Sequence, residues 1–197
     1  MFRASHIAGV SALLTLAACA TAPPPGGQSG SQSGAFSETL RICLGHVSNA
    51  PAADGGRRVA GFTPTAIVAG VSLARAPTSG CVSSGFGPRR GGAGRFHYGL
   101  DIFTDGPRPV YAGGDGVVEE VKSLRGYGRS VLIRHSTQVK TRYAHLSAYE
   151  RGLSPGDRVR KGAPIGYTGA SGNATAIHLH YEIIVNGRPR DPLTAGR

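Results

Sequence analysis

A mostly β fold is predicted by three features of the chain. Glycine makes up 31 of the 197 residues, and from Gly80 onward it separates short runs rich in Val, Ile, Tyr and Thr. Such runs between turn residues are the mark of strands joined by tight turns. No long helical period appears in the C-terminal half. Asn186-Gly187 follows one apolar run directly and is the strongest short hairpin signal a sequence can carry.

The predicted strands are Val117 to Ser123, Ser130 to Arg134, Lys140 to His145, Pro164 to Tyr167 and His178 to Val185. Each is short, β-branched or aromatic, and bounded by Gly, Pro, Asn or Ser. Gly113-Gly114-Asp115-Gly116 reads as a turn and not a phosphate cradle, because no helix follows it. Residues 36 to 80 carry weaker signals: Ser37 to Leu40 could open a short helix, and Thr65 to Leu73 could be a strand.

The amino terminus reads as a targeting segment. Arg3 precedes an apolar stretch from Ile7 to Ala18 that is shorter than the ~20 residues needed to span a bilayer. Leu16-Ala17-Ala18-Cys19 resembles a bacterial lipobox, which makes Cys19 the acylated first residue of the mature chain and implies stable membrane anchoring. Cleavage at Ala20-Thr21-Ala22 is the rival, although it would leave Pro23 at the new terminus. Ala20, in place of an Asp after the Cys, leans toward the outer membrane of a Gram-negative envelope. The expected organisation is a signal peptide over 1–18, a flexible tether over 19–35, an extension of uncertain structure over 36–80 and one folded domain over 81–197.

Export changes the meaning of charge and cysteine. The formal charge of +11 falls only to +10 when Arg3 is removed, and in a cytosolic protein this would suggest nucleic acid. An exported chain meets anionic envelope polymers instead, so no nucleic-acid partner is expected. Cys43 and Cys81 remain as an even pair in an oxidising compartment and are a candidate disulfide.

Chemistry concentrates in four places: His97-Tyr98-Gly99-Leu100-Asp101, Tyr143-Ala144-His145-Leu146-Ser147, Gly172-Asn173-Ala174-Thr175 and His178-Leu179-His180-Tyr181-Glu182. In a strand, His178, His180 and Glu182 share one face, and an extended segment can bring His97 and Asp101 to it. Two neutral imidazoles and a carboxylate suit a catalytic zinc, because three protein ligands leave a fourth position for water. Spacing alone does not say which of the five residues bind metal.

The pattern H-x-G-x-D, then Y-x-H-L-S, then G-N-x-T and H-x-H-x-E resembles the lysostaphin-type, or LytM-domain, zinc metallopeptidases, over some 110 residues from Ser84 to Leu193. The resemblance implies a small antiparallel β-sheet of the duplicated hybrid motif type, with a zinc-lined groove that accepts an extended peptide. It implies one zinc held by His97, Asp101 and His180, with His145 and His178 as catalytic residues that handle the attacking water and the oxyanion. It further implies hydrolysis of peptidoglycan stem-peptide or cross-bridge amides. A non-catalytic relative that activates a cell-wall amidase or divisome partner is the alternative, but all five polar positions are retained here. The stretch from Gly91 to Gly94 lacks a Tyr that some active members place there.

The other polar residues have plainer readings. Glu182 is either a partner of a ligand histidine or part of a surface ion pair, His135 a turn or groove residue, and His46 solvent-facing, unless His46 or Asn49 reaches over the groove. Arg89, Arg90 and Arg95 read as a solvated basic loop, with anion docking second.

Overall fold

The computed structural model describes residues 36–89 and 96–197, all within one compact unit, Gln32–Arg197. The expected signal peptide and tether with Cys19, and the stretch Arg90 to Arg95 with Gly91 to Gly94, lie outside the described residues. No helix occurs among the described residues.

The extension contributes β1 (Arg41–Ile42), β2 (Thr65–Val68) and β3 (Val71–Ala74). Next come β4 (Cys81–Ser84), β5 (Gly87–Pro88), β6 (Phe96–His97), β7 (Leu100–Phe103) and β8 (Pro109–Tyr111). The long strands β9 (Gly116–Leu124), β10 (Gly128–Arg134) and β11 (Val139–Leu146) form a meander, followed by β12 (Ala148–Tyr149), β13 (Arg158–Val159) and β14 (Pro164–Tyr167). The chain closes with β15 (His178–Val185) and β16 (Arg188–Arg190). All five predicted strands are present, two of them with the predicted limits.

Nine strands form the main sheet, in the order β1-β4-β7-β15-β11-β10-β9-β13, with β16 added to β15. The sheet is larger than the small antiparallel one expected, and β1 runs parallel to β4. The physical reason is that residues 36–80 belong to the same body: β1 extends the sheet edge, while Leu40, Val59, Val68 and Leu73 enter the core. A smaller sheet, β12-β14-β8, packs beside it through Val110 and Ile165.

Two expectations in the extension need correction. Ser37 to Leu40 forms no helix; a single turn cannot repay its nucleation cost, and the segment is instead anchored by the buried Leu40 side chain. Thr65 to Leu73 is a hairpin and not one strand, because Ala69 and Gly70 both adopt positive φ, 46° and 80°, and reverse the chain. A two-residue loop of this hand usually carries Asn-Gly, and Ala at the first place hid it. Asn186-Gly187, with φ of 51° and 72°, makes the predicted hairpin between β15 and β16.

The centre of the sheet explains why the site is rigid. Along β15, Leu179, Tyr181 and Ile183 are fully buried on the core face, which turns His178, His180 and Glu182 to the other. The buried phenols are satisfied: Tyr181 Oη donates to the Ala74 carbonyl at 2.8 Å, and Tyr143 Oη accepts the Gly113 N–H at 2.7 Å. Cys43 and Cys81 are joined by a disulfide, with Cα atoms 5.0 Å apart and a sequence separation of 38. Closing a loop of that length removes denatured-state freedom worth ~4 kcal/mol in the chain-entropy account.

Candidate metal centre

His97 ends β6, and a turn at Tyr98-Gly99 leads into β7, where Asp101 pairs across the sheet with His180 of β15. Gly99 has to be glycine, because a Cβ there would stand 2.8 Å from His180 Cε1 and 2.5 Å from the Tyr181 carbonyl oxygen. His97 and Asp101 therefore belong to two short strands, and the close turn between them is what brings both to the face of His180.

The three side chains converge. His97 Nε2 lies 3.0 Å from Asp101 Oδ1 and 3.1 Å from His180 Nδ1, and the third side of the triangle, His180 Nδ1 to Asp101 Oδ1, is 2.8 Å. All three residues are buried. Ligand atoms ~2.0–2.1 Å from a tetrahedral zinc sit about 3.3 Å apart, so this triangle is already near the size the ion requires. Among the described residues it is the one His, Cys, Asp and Glu group whose donor atoms gather in this way.

The outer contacts set which nitrogen of each ring faces the centre. His97 Nδ1 is 2.7 Å from the Gly85 carbonyl oxygen, which only accepts, so Nδ1 donates there and Nε2 is the nitrogen that faces the centre. His180 Nε2 is 3.1 Å from Glu182 Oε1, which likewise places the hydrogen outward and leaves Nδ1 for the centre. Glu182 is 2 % exposed, so it is a buried partner of His180 and not a surface ion pair. It is held in turn by the Tyr127 hydroxyl at 2.7 Å and Arg142 Nε at 3.6 Å. Burial raises the Glu182 pKa, but these hydrogen bonds and charges outweigh it and keep the carboxylate ionised.

Arg89 corrects the solvated-loop expectation. Its Nη2 donates to Asp101 Oδ2 at 3.2 Å and to Ser84 Oγ at 3.1 Å, occupying one carboxylate oxygen and leaving Oδ1 for the two rings. Burial would raise the Asp101 pKa, yet hydrogen bonds from His180 and His97 dominate and hold it well below the usual carboxylate range. Burial would equally lower His180, but Asp101 and Glu182 raise it to about 9. In the metal-free protein His180 is thus an imidazolium at neutral pH, and a metal ion has to displace its inner proton. Binding at pH 7 is expected to release about one proton per zinc, and affinity to fall about tenfold for each pH unit below ~9. Calorimetry in buffers of different ionisation enthalpy reads this; zinc binding with no proton release would contradict it.

His145 and His178 stand on the open side of the triangle, their rings 4.7 Å apart between centroids. Each gives its Nδ1 hydrogen to a backbone carbonyl, His145 to Ser171 at 2.8 Å and His178 to Ala176 at 2.9 Å. Nε2 of each ring is thus the nitrogen outside these backbone bonds, and that of His178 lies 3.8 Å from Asp101 Oδ1. Burial first, then the neighbouring His178 and His180, pushes the His145 pKa down to about 4. His145 is consequently a neutral ring at neutral pH. A groove of about 510 Å³ runs over these residues, walled by Phe96, Tyr98, Arg125 and Tyr127, with Asn173 and Thr175 from the G-N-x-T segment at its edge.

Other histidines lie elsewhere. His135 bonds the Asp115 carbonyl and Thr141 Oγ1, both at 2.8 Å, and is a structural residue outside the groove. His46 is exposed, and neither it nor Asn49 lines the groove. Tyr127, Arg142 and the Gly85 carbonyl belong to the site without any sequence signal of their own. No spacing rule announces them, because each reaches the site only through sheet pairing.

Residues 95–192, which hold the triangle and both flanking histidines, match the family described as Peptidase family M23. The chain belongs to peptidase family M23. Over 100 residues the chain is 42% identical to the DD-carboxypeptidase/endopeptidase Mpg of Neisseria meningitidis, covering 51% of this chain but 23% of the relative. The chain thus spans about a quarter of the length of that relative. A solved zinc-containing peptidase from Vibrio cholerae superposes with a TM-score of 0.57 at 36% identity, over 62% of this chain and 40% of that one. The catalytic domain of lysostaphin from Staphylococcus simulans gives 0.51 at 34% identity, over 55% of this chain and 85% of that one. The donor set of the M23 site, two imidazoles and one carboxylate in a buried triangle, fits a single zinc.

Proposed function

We propose that this M23 protein is a zinc-dependent endopeptidase that hydrolyses peptide cross-links of cell-wall peptidoglycan. The observation that carries the reading is the buried triangle of His97 Nε2, Asp101 Oδ1 and His180 Nδ1, with two further imidazoles on its open side, each tied to the backbone through Nδ1. His97, Asp101 and His180 are the residues that would hold the ion. A zinc bound there supplies positive charge that lowers the pKa of water toward ~7 and polarises a carbonyl.

The chain's own groups do the rest. His145 Nε2 and His178 Nε2 are positioned to take the proton as the water oxygen adds to the amide carbon. Once protonated, either ring becomes an N–H donor that faces the developing carbonyl oxygen and can return the proton to the leaving nitrogen as the C–N bond breaks. Burial keeps the His145 ring neutral beforehand, which is the state a base needs. Arg125 gives the groove wall a positive group suited to stem-peptide carboxylates. The likeness to enzymes named for DD-endopeptidase activity supports peptidoglycan as the substrate.

The test is the zinc content of the purified chain together with the appearance of new amino groups in purified sacculi. Stoichiometric zinc with no cleavage would turn the reading toward a factor that activates an amidase. We place the protein at the periplasmic side of a Gram-negative envelope, anchored through acylated Cys19. A Cys19→Ser chain is expected to leave the membrane fraction, and if it still sedimented with membranes the anchor would be abandoned.

A further inference from the structure

We propose that residues 41–49, fastened to β4 by the Cys43–Cys81 disulfide, are a positioning part of the metal site, because they fix the Gly85 carbonyl that orients His97. The proposal rests on reading His97, Asp101 and His180 as metal ligands. It gives the extension a task opposite to occlusion: it supports the site from behind and does not cover the groove.

The connection runs through a short series of contacts. β1 lies parallel to β4, with Arg41 beside Cys81 and Ile42 beside Val82, and the Cys43 N–H donates to the Val82 carbonyl at 3.0 Å. The two segments meet again at Ser48 and Ser84, also in parallel. The Gly85 N–H then donates to the Ser48 carbonyl at 2.9 Å. Gly85 has backbone from the extension directly against it, since a Cβ there would overlap the Asn49 carbonyl oxygen. Asn49 Nδ2 also approaches the Gly85 carbonyl, at 3.5 Å. That carbonyl is the acceptor, at 2.7 Å, for the His97 Nδ1 hydrogen.

The geometry explains what the disulfide does here. Between the two meeting points the extension arches away from the sheet, and Leu44, Gly45 and His46 are exposed, Leu44 at 87 %. An arch that buries so little holds its own feet weakly, and the covalent bond stands at one foot. On the other side, β4 ends at Ser84 after a register shift against β7, so Gly85 lies just beyond the strand pairing that would otherwise fix it. With the disulfide open, the 48–49 segment is freed from Gly85 and the carbonyl loses its fixed direction. His97 then loses the closer of its two Nδ1 partners and keeps only the Ser84 hydroxyl at 3.3 Å, which can donate as well as accept and so does not fix the tautomer. Partners of this kind behind a metal ligand are worth ~10–100-fold in metal affinity.

The experiment measures the affinity of the full chain for zinc alone, by competition with a chromophoric chelator. Wild-type protein with its disulfide intact is compared with protein reduced and alkylated, so that no free thiol binds zinc, and with Cys43→Ser/Cys81→Ser. Each sample is checked for a cooperative thermal transition. The opened forms are expected to bind zinc ~10–100-fold more weakly. Val118→Ala, a core truncation remote from the site, controls for general loss of stability and is expected to keep wild-type affinity. If the opened protein does not fold, Gly85→Ala decides, because it keeps the disulfide and drives a methyl against the Asn49 carbonyl; the same fall is expected. Opened or Gly85→Ala protein that folds and binds zinc within twofold of wild type overturns the proposal. Disulfide-bonded wild type that binds no zinc overturns the ligand reading itself, and this proposal with it.

Discussion

His180→Ala is expected to abolish both metal and activity. His180 stands at the middle of the site: its Nδ1 closes the triangle with His97 and Asp101, and its Nε2 holds Glu182. On the proposed ligand set, alanine leaves two donors where three are needed to retain a catalytic zinc. A metal of this kind stabilises transition-state charge by several kcal/mol, so the loss in kcat/KM should be at least ~10³-fold. Elemental analysis should find almost no zinc, and sacculus digestion should fall to background. The substitution also leaves Asp101 and Glu182 as buried carboxylates without their shared partner, so the melting temperature should drop as well. A variant with full zinc and full turnover would remove His180 from the ligand set.

His145→Ala is expected to separate metal from chemistry. The ring does not belong to the triangle; its centroid is 5.8 Å from that of His180, and its Nδ1 is tied to Ser171. Zinc content should therefore stay at the wild-type level. The loss should fall on kcat, by ~10²–10⁴-fold, which is the usual contribution of a positioned acid or base. KM should change little, because the groove walls are untouched. A variant that loses zinc in parallel with activity would make His145 a ligand and not a proton carrier.

Both experiments turn on residues that the sequence exposes well. The five long or medium strands are legible because runs of β-branched and aromatic residues stand between turn residues, and in β15 the even spacing of His178, His180 and Glu182 puts them on one face. The five polar positions are legible because they sit inside short motifs with fixed internal spacing, and the choice of His97, Asp101 and His180 among them rests on the family resemblance. Gly99 shows why such spacing is tight: the turn admits no side chain next to His180.

The supporting layer is not legible, for a different reason. Arg89 lies 12 residues from Asp101, Tyr127 lies 55 from Glu182, and Ser48 reaches Gly85 only through a parallel pairing. These contacts are products of the sheet as a whole, and no local period encodes them. The extension was opaque for a similar reason. Its hairpin uses Ala69 where a turn-forming residue would have signalled it, and its strand β1 is two residues long.

The backbone of His145 has a consequence of its own. Its φ is 61°, in the left-handed region, at a position inside a strand where glycine or asparagine would rest without strain. An L-residue with an ordinary side chain gives up ~1–2 kcal/mol to stay there. A selection for heat resistance alone would thus favour glycine at this point and drift toward a sturdier, inert protein, so that evolution toward durability and evolution toward turnover pull on the same residue in opposite directions.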